Sequence, residues 1–110
     1  GTSQARDSIS TMLKDELTEV RLVAAEQLGK LGDTSGEKVV IKALTKDTAN
    51  AQDKETRARI QTLAAPAIGQ IRKPALKNFL PELLKSEFQF TRLAAAKATL
   101  QYTSGNNIGR

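Results

Sequence analysis

Apolar residues recur three and four positions apart along most of this chain, the spacing of one helix face and not the alternation of a strand. The runs are Ile9, Met12, Leu13; Val20, Val23, Ala24, Leu28, Leu31; Val39, Val40, Ala43, Leu44; Ile60, Leu63, Ala64, Ile68, Ile71; Leu76, Phe79, Leu80, Leu83, Leu84; and Leu93, Ala96, Leu100. They predict six helices, at about 4–14, 18–31, 36–46, 55–71, 75–86 and 89–102, and a mobile tail at 103–110. Local punctuation agrees. Gly32-Asp33 closes the second helix, Thr34 with Glu37 and Ser86 with Gln89 read as capping boxes, and Thr18 and Asp53 as N-caps.

Sliding the sequence along itself shows a repeat, and a repeat changes the expected fold more than any local propensity does. The segment 40–47 falls on 8–15 at an offset of 32 and on 80–87 at an offset of 40, and each of the three ends on an acid: Asp47, Asp15 and Glu87. Between them, Val23-Ala24-Ala25 with Leu28-Gly29 falls on Leu63-Ala64-Ala65 with Ile68-Gly69 at offset 40. Arg21 with Val23-Ala24-Ala25 falls on Arg92 with Ala94-Ala95-Ala96 at offset 71. The longer spacing is taken up at 48–55, a polar loop that interrupts no apolar stripe. Two alternating helix types, three times over, predict a single all-α domain of stacked hairpins.

The stretch Lys14-Asp15 followed by Glu19-Val20-Arg21-Leu22-Val23-Ala24-Ala25-Glu26-Gln27-Leu28-Gly29-Lys30-Leu31-Gly32-Asp33 resembles a HEAT-like repeat of the short prokaryotic type found in phycobilisome bilin-lyase relatives. Phe79-Leu80-Pro81-Glu82-Leu83-Leu84-Lys85 resembles the second helix of eukaryotic HEAT repeats. The likeness covers about residues 8–102. Its first unit is the close match; later ones drift, with Gln61 in the place of Arg21 and Thr99 in the place of Leu28. The resemblance implies an α-α superhelix, an armadillo-type solenoid of three hairpins, whose second helices line a concave binding side. It also implies that acids at the turns and Arg at the next helix start, Asp15 with Arg21 and Glu87 with Arg92, belong to a structural Asp/Arg ladder.

Small residues at 24–25, 64–65 and 95–96 let neighbouring helices approach closely, and Gly29 and Gly69, each costing about 1 kcal/mol in a helix, point the same way. Pro66 is expected to kink its helix, and Pro81 either starts a helix or bends one.

Composition sharpens this picture mainly by exclusion. The 110 residues hold no His and no Cys, which removes thiol chemistry, His-based triads and Cys-bearing zinc sites. Ala (15) and Leu (13) outnumber Val (4) and Ile (6), as helices prefer. No window approaches the roughly 18 apolar residues of a spanning helix, so no membrane span is expected. Residue 1 is Gly, so a processed or trimmed chain is expected, and the compartment is not legible. Nearly all carboxylates fall at caps, turns or exposed helical positions, and no phosphate loop, metal cluster or nucleophile elbow is present. The expectation is a non-enzymatic chain without a cofactor or a metal.

Charge carries the functional candidates. Residues 1–55 have 8 basic and 10 acidic side chains, whereas 56–110 have 9 and 2. On the second helices Lys38, Lys42, Lys77 and Lys85 point away from the apolar faces and are the candidate groove for a protein partner, an acidic or extended peptide. Solvated lysines on an exposed face are the plain alternative. The acid-free stretch 56–81 holds Arg57, Arg59, Arg72 and Lys73, the candidates for the alternative reading, nucleic-acid backbone binding. These sit at opposite ends of one helix, about 20 Å apart, so they form no single patch. HEAT-like DNA alkylpurine glycosylases are a precedent, but they are longer and their aromatic and acidic pocket motif is not found here. Phe79 reads as core. Phe88 and Phe90 read as sealing the last hairpin, with a partner anchor as the alternative. Ser8, Ser10 and Thr11 give the first helix a polar outer face; the Ala-rich last helix is less protected, which leaves end-to-end dimerisation or truncation from a longer array open.

Overall fold

The structure, a computed structural model, describes residues 2–108, with side chains from 3 to 104. Its elements are α1 (Thr2–Met12), α2 (Thr18–Lys30), α3 (Glu37–Lys42) running on into a π-helical turn (Ala43–Asp47), α4 (Lys54–Ile71), α5 (Pro74–Lys77), α6 (Leu80–Leu84) and α7 (Gln89–Ile108), with no strand among the described residues. The chain is all-α.

α4 is the centre of the structure, because both its sides are apolar or small. Ala58, Ile60, Ala64, Ala65, Ala67, Ile68 and Ile71 are buried along it. α2 packs on one side and α7 on the other, and the second-type helices lie against them: α1 on α2, the π turn on α4 and α6 on α7. The extents, 39 × 36 × 20 Å, make the short dimension two helix diameters thick. Leu22, Leu28, Val40, Ile68 and Leu76 are fully buried, each contributing about 1.5–3 kcal/mol of apolar transfer.

The seam between first-type helices repeats in the same register. A Cβ on Gly29 would lie 2.9 Å from Gln70 Cβ, and one on Gly69 would meet Gln101 and lie 3.2 Å from Ala98 Cα. Gln70 and Gln101 occupy equivalent positions under the sequence offsets. Both glycines are therefore seam residues, as the sequence implied. Pro66 sits inside an unbroken α4, where its missing N–H leaves the Thr62 carbonyl without a helical partner.

The helix ends show which local signals decide. α2 closes in a Schellman motif: Gly32 has φ +82°, its N–H donates to the Gly29 carbonyl at 3.0 Å, and the Asp33 N–H reaches the Leu28 carbonyl at 2.9 Å. Asp53 is the N-cap of α4 and accepts from the Thr56 N–H at 2.7 Å. The other expected caps are corrected. α2 begins after Leu17, and the Thr18 hydroxyl instead donates to Asp47. α3 begins after Gly36, which is buried against Ala25, while the Ser35 N–H bonds Asp33 at 2.8 Å; the Thr34 box does not form. Ser86 Oγ accepts from the Phe88 N–H, a local turn in place of a capping box.

Two helices also differ from expectation in length or continuity. The one expected at 75–86 is broken at Asn78 and Phe79, because Pro81, near the start of α6, cannot donate to the Lys77 carbonyl. α7 runs on to Ile108, past the expected end at 102, so a tail beginning at 103 is corrected; 109 and 110 lie outside the described residues.

The Asp53 cap gives the fold a pH dependence of known sign. Hydrogen bonding by Thr56, its side chain first and its backbone amide next, holds the carboxyl below its ordinary 3.8. A carboxyl lowered on folding adds stability that is fully present above its ordinary value and is lost as pH falls through the folded value. Asp53→Asn keeps a capping oxygen but does not titrate. The difference in urea midpoint between the parent chain and Asp53→Asn is expected to be flat from neutral pH down to about 5 and to narrow as pH falls through and below 3.8.

Candidate functional site

The second-type helices carry the four candidate lysines, and all four are exposed. Lys38 and Lys42 are one turn apart on α3. They line a cleft of about 360 Å³ together with Leu13, Lys14 and Asp15 of the turn that follows α1 and with Arg21 and Val39. Lys14, which sequence reasoning left out, thus joins Lys38 and Lys42. The signal for it lay in the repeat, since Lys14 and Lys46 precede the equivalent acids Asp15 and Asp47.

Lys85 and Lys77 lie elsewhere. Lys85 lines a second cleft of about 360 Å³ between the start of α4 and the α6–α7 turn, together with Lys54, Arg57, Glu82 and Glu87. Glu87 pairs with Lys54 at 3.8 Å. Lys77 Nζ stands 5.5 Å from the ring centroid of buried Tyr102, a cation–π contact that ties α5 to α7. The four lysines therefore form no continuous groove: two share a basic cleft, one belongs to a mixed-charge cleft, and one is held by a ring.

The alternative set is divided further. Arg59 Nε pairs with Glu19 Oε2 at 3.2 Å across the α2–α4 seam. Arg57 lies in the Lys85 cleft. Arg72 is the left-handed C-cap of α4, at φ 55°, and Lys73 is the N-cap residue of α5.

Neither expected Asp/Arg pair forms: Arg21 meets the carboxylate of Asp47 and not that of Asp15, and Glu87 pairs with Lys54 and not with Arg92. Arg21 Nη1 donates to the backbone carbonyls of Asp15, at 2.6 Å, and Glu16, at 3.0 Å. Its Nη2 donates to Thr18 Oγ1 at 2.9 Å and to Asp47 Oδ2 at 3.1 Å. The carboxylate that Arg21 meets is thus the repeat equivalent of Asp15. Arg92 copies the first part of this arrangement, donating to the Ser86 carbonyl at 2.8 Å.

Phe90 is 72% exposed at the start of α7 and stands between two further clefts, of about 460 and 490 Å³, along the α4–α7 groove. It does not seal the hairpin; half-buried Phe79 packs against the core, and half-buried Phe88 lines the clefts on either side of the start of α4. Among the described residues there is no group of three or more Asp or Glu placed to hold a metal ion, and no helix long and apolar enough to cross a membrane. No protein family, curated protein or solved structure matches the chain.

Proposed function

We propose that this chain is a HEAT-like repeat module that binds protein and does no chemistry of its own, with an acidic, extended peptide as the ligand of the cleft between α1 and α3. The observation that carries this reading is the convergence of Lys14, Lys38 and Lys42 on one cleft that is also lined by Leu13 and Val39. Three ammonium groups, two on α3 and one on the turn after α1, draw carboxylates, and the apolar side chains of Leu13 and Val39 supply the contact that makes binding more than counter-ion exchange. Duplex binding is the weaker reading. Arg59 already faces Glu19, and Arg57 and Arg72 stand about 20 Å apart along α4.

Fluorescence anisotropy with a labelled, extended peptide of alternating Glu and Leu tests the proposal. Lys38→Glu/Lys42→Glu is expected to weaken binding about tenfold or more while leaving helicity unchanged. Equal affinity of the variant and the parent would remove the cleft from consideration. A duplex probe that bound with a steep salt slope would favour the nucleic-acid reading instead.

A further inference from the structure

Each first-type helix presents one face to its predecessor and the opposite face to its successor. On α2 Gly29 faces α4, and on α4 Gly69 faces α7, where Thr62 Oγ1 hydrogen-bonds Thr91 Oγ1 at 2.8 Å. The offset of 40 sets Leu22, Ala25 and Gly29 on Thr62, Ala65 and Gly69, with Ala25 also packed on Gly36. The same offsets place Leu93, Ala96 and Leu100 on that face of α7. There Leu93 is 55% and Leu100 68% exposed and Ala96 is half-buried, on the side of the helix away from buried Thr91, Ala95 and Ala98, with Leu93 also bordering the α4–α7 cleft.

The other end of the structure carries the complementary half. On α4 and α7 the predecessor face is Ile60, Ala64 and Ala67, and Thr91, Ala95 and Ala98, all buried. Its equivalent on α2 is Val20, Ala24 and Gln27. Beside it α1 takes the place that the π turn and α6 take against α4 and α7, and among the described residues no first-type helix lies against this face. An apolar cleft of about 310 Å³ remains there, lined by Ile9, Met12, Val20 and Val23. Met12 is 47% and Val23 44% exposed.

From this geometry we infer that two copies of this chain join head to tail, α7 of one copy docking in the α1–α2 cleft of the next and continuing the seam that α2, α4 and α7 already share. Charge supports the same occupant. α7 contains Arg92 and Lys97 and no acid, whereas the α1–α2 end carries the acids Asp7, Asp15, Glu16 and Glu19 against the bases Arg6 and Lys14, and Glu19 lines the apolar cleft itself. The ladder points to a specific pair. Arg21 bonds both the carbonyl at the preceding turn and the acid at the next one; Arg92 makes only the first bond among the described residues. In the joined pair its second acid is Asp15 of the following copy, the repeat equivalent of Asp47. Leu100 stands where α2 and α4 have glycine, so this joint is wider than the internal seams and opens reversibly. It is a heterologous contact that does not close at two copies. The inference rests on the helix seams and not on peptide binding at the α1–α3 cleft, although Asp15 also lines that cleft; the Leu93/Leu100 and Met12/Val23 variants leave its lining untouched.

Sedimentation velocity over a wide concentration range tests it. The weight-average mass is expected to rise with concentration past twice the 11.9 kDa of one chain. The tail variant Leu93→Gln/Leu100→Gln and the head variant Met12→Gln/Val23→Gln are each expected to stay monomeric alone and to form a one-to-one dimer, and nothing larger, when mixed. As a second route, Arg92→Glu is expected to reduce association and Arg92→Glu/Asp15→Arg in one chain to restore it. A parent chain monomeric at every concentration, a tail variant that still associates, or a mixture that stays monomeric overturns the inference.

Discussion

Gly29→Leu is expected to destabilise the fold by about 3 kcal/mol, read as a fall in the urea midpoint at unchanged slope. The reason is the identity of the atoms around Gly29. A Cβ there would lie 2.9 Å from Gln70 Cβ, 3.0 Å from the Gln70 carbonyl carbon and 3.1 Å from the Ile71 nitrogen. Two of these are backbone atoms in the last turn of α4, so relief requires α2 and α4 to separate. That separation uncovers Leu22, Ala25 and Leu28, which are fully buried. Gly29→Ala isolates the approach itself. Its gain in helix propensity, about 1 kcal/mol, opposes the clash, and a net loss is still expected because the contacts include backbone. Gly69→Ala is the milder counterpart, since part of what its Cβ meets is the movable end of Gln101. At Leu100, the equivalent position on α7, a large side chain is already tolerated because the face is open. A loss for Gly29→Ala no larger than for Gly69→Ala would show that backbone approach does not set the α2–α4 distance.

Those glycines illustrate what sequence alone could carry. Their place in the repeat, one turn after Ala24-Ala25 and Ala64-Ala65, was enough to mark a close seam, because tight packing has few other uses for a mid-helix glycine. The all-α class and most helix ends were legible for the same reason: apolar spacing and strong stops such as Gly32 act locally. What escaped depends on non-local choices. The π turn at Ala43–Asp47 adds one residue to a helical turn and rotates the downstream chain by about 100°. Its trace in the sequence is faint, Thr45 and Thr48, whose hydroxyls donate to the Ile41 and Leu44 carbonyls four residues back. The extension of α7 through Gly105, Asn106 and Asn107 runs against propensity, since adding a turn to a formed helix costs far less than nucleating one. The candidate groove was half legible. Helical spacing put each lysine on an outward face, but only the tertiary structure decides that Lys38 and Lys42 meet Lys14 while Lys77 meets Tyr102.

The ladder carries the second large effect. Sequence order pairs Arg21 with Asp15, six residues away; the structure uses the Asp15 carbonyl and takes the carboxylate from Asp47, 26 residues on. One guanidinium therefore ties together the α1–α2 turn, the start of α2 and the end of the π turn, and both side chains of the pair are largely shielded, at 14% and 16% exposure. Arg21→Ala is expected to cost about 2–3 kcal/mol, because it removes bonds to two carbonyls, a hydroxyl and a carboxylate at once. Arg21→Lys is expected to recover little of this, since a single ammonium cannot span the fork that reaches both Nη1 and Nη2 partners. Asp47→Ala is expected to cost only about 1 kcal/mol, as Arg21 keeps its carbonyl partners. The double variant should then lose little beyond Arg21→Ala, only the 3.2 Å bond from Thr18 to Asp47, so that a urea-unfolding cycle gives a coupling of up to about 1 kcal/mol. The control is Arg92→Ala, at the equivalent position, where a single carbonyl bond to Ser86 is exposed and the expected loss is below about 1 kcal/mol. Strict additivity of the Arg21 and Asp47 effects, or an Arg92→Ala loss equal to that of Arg21→Ala, would show that the fork to Asp47 does not lock the first turn to the next.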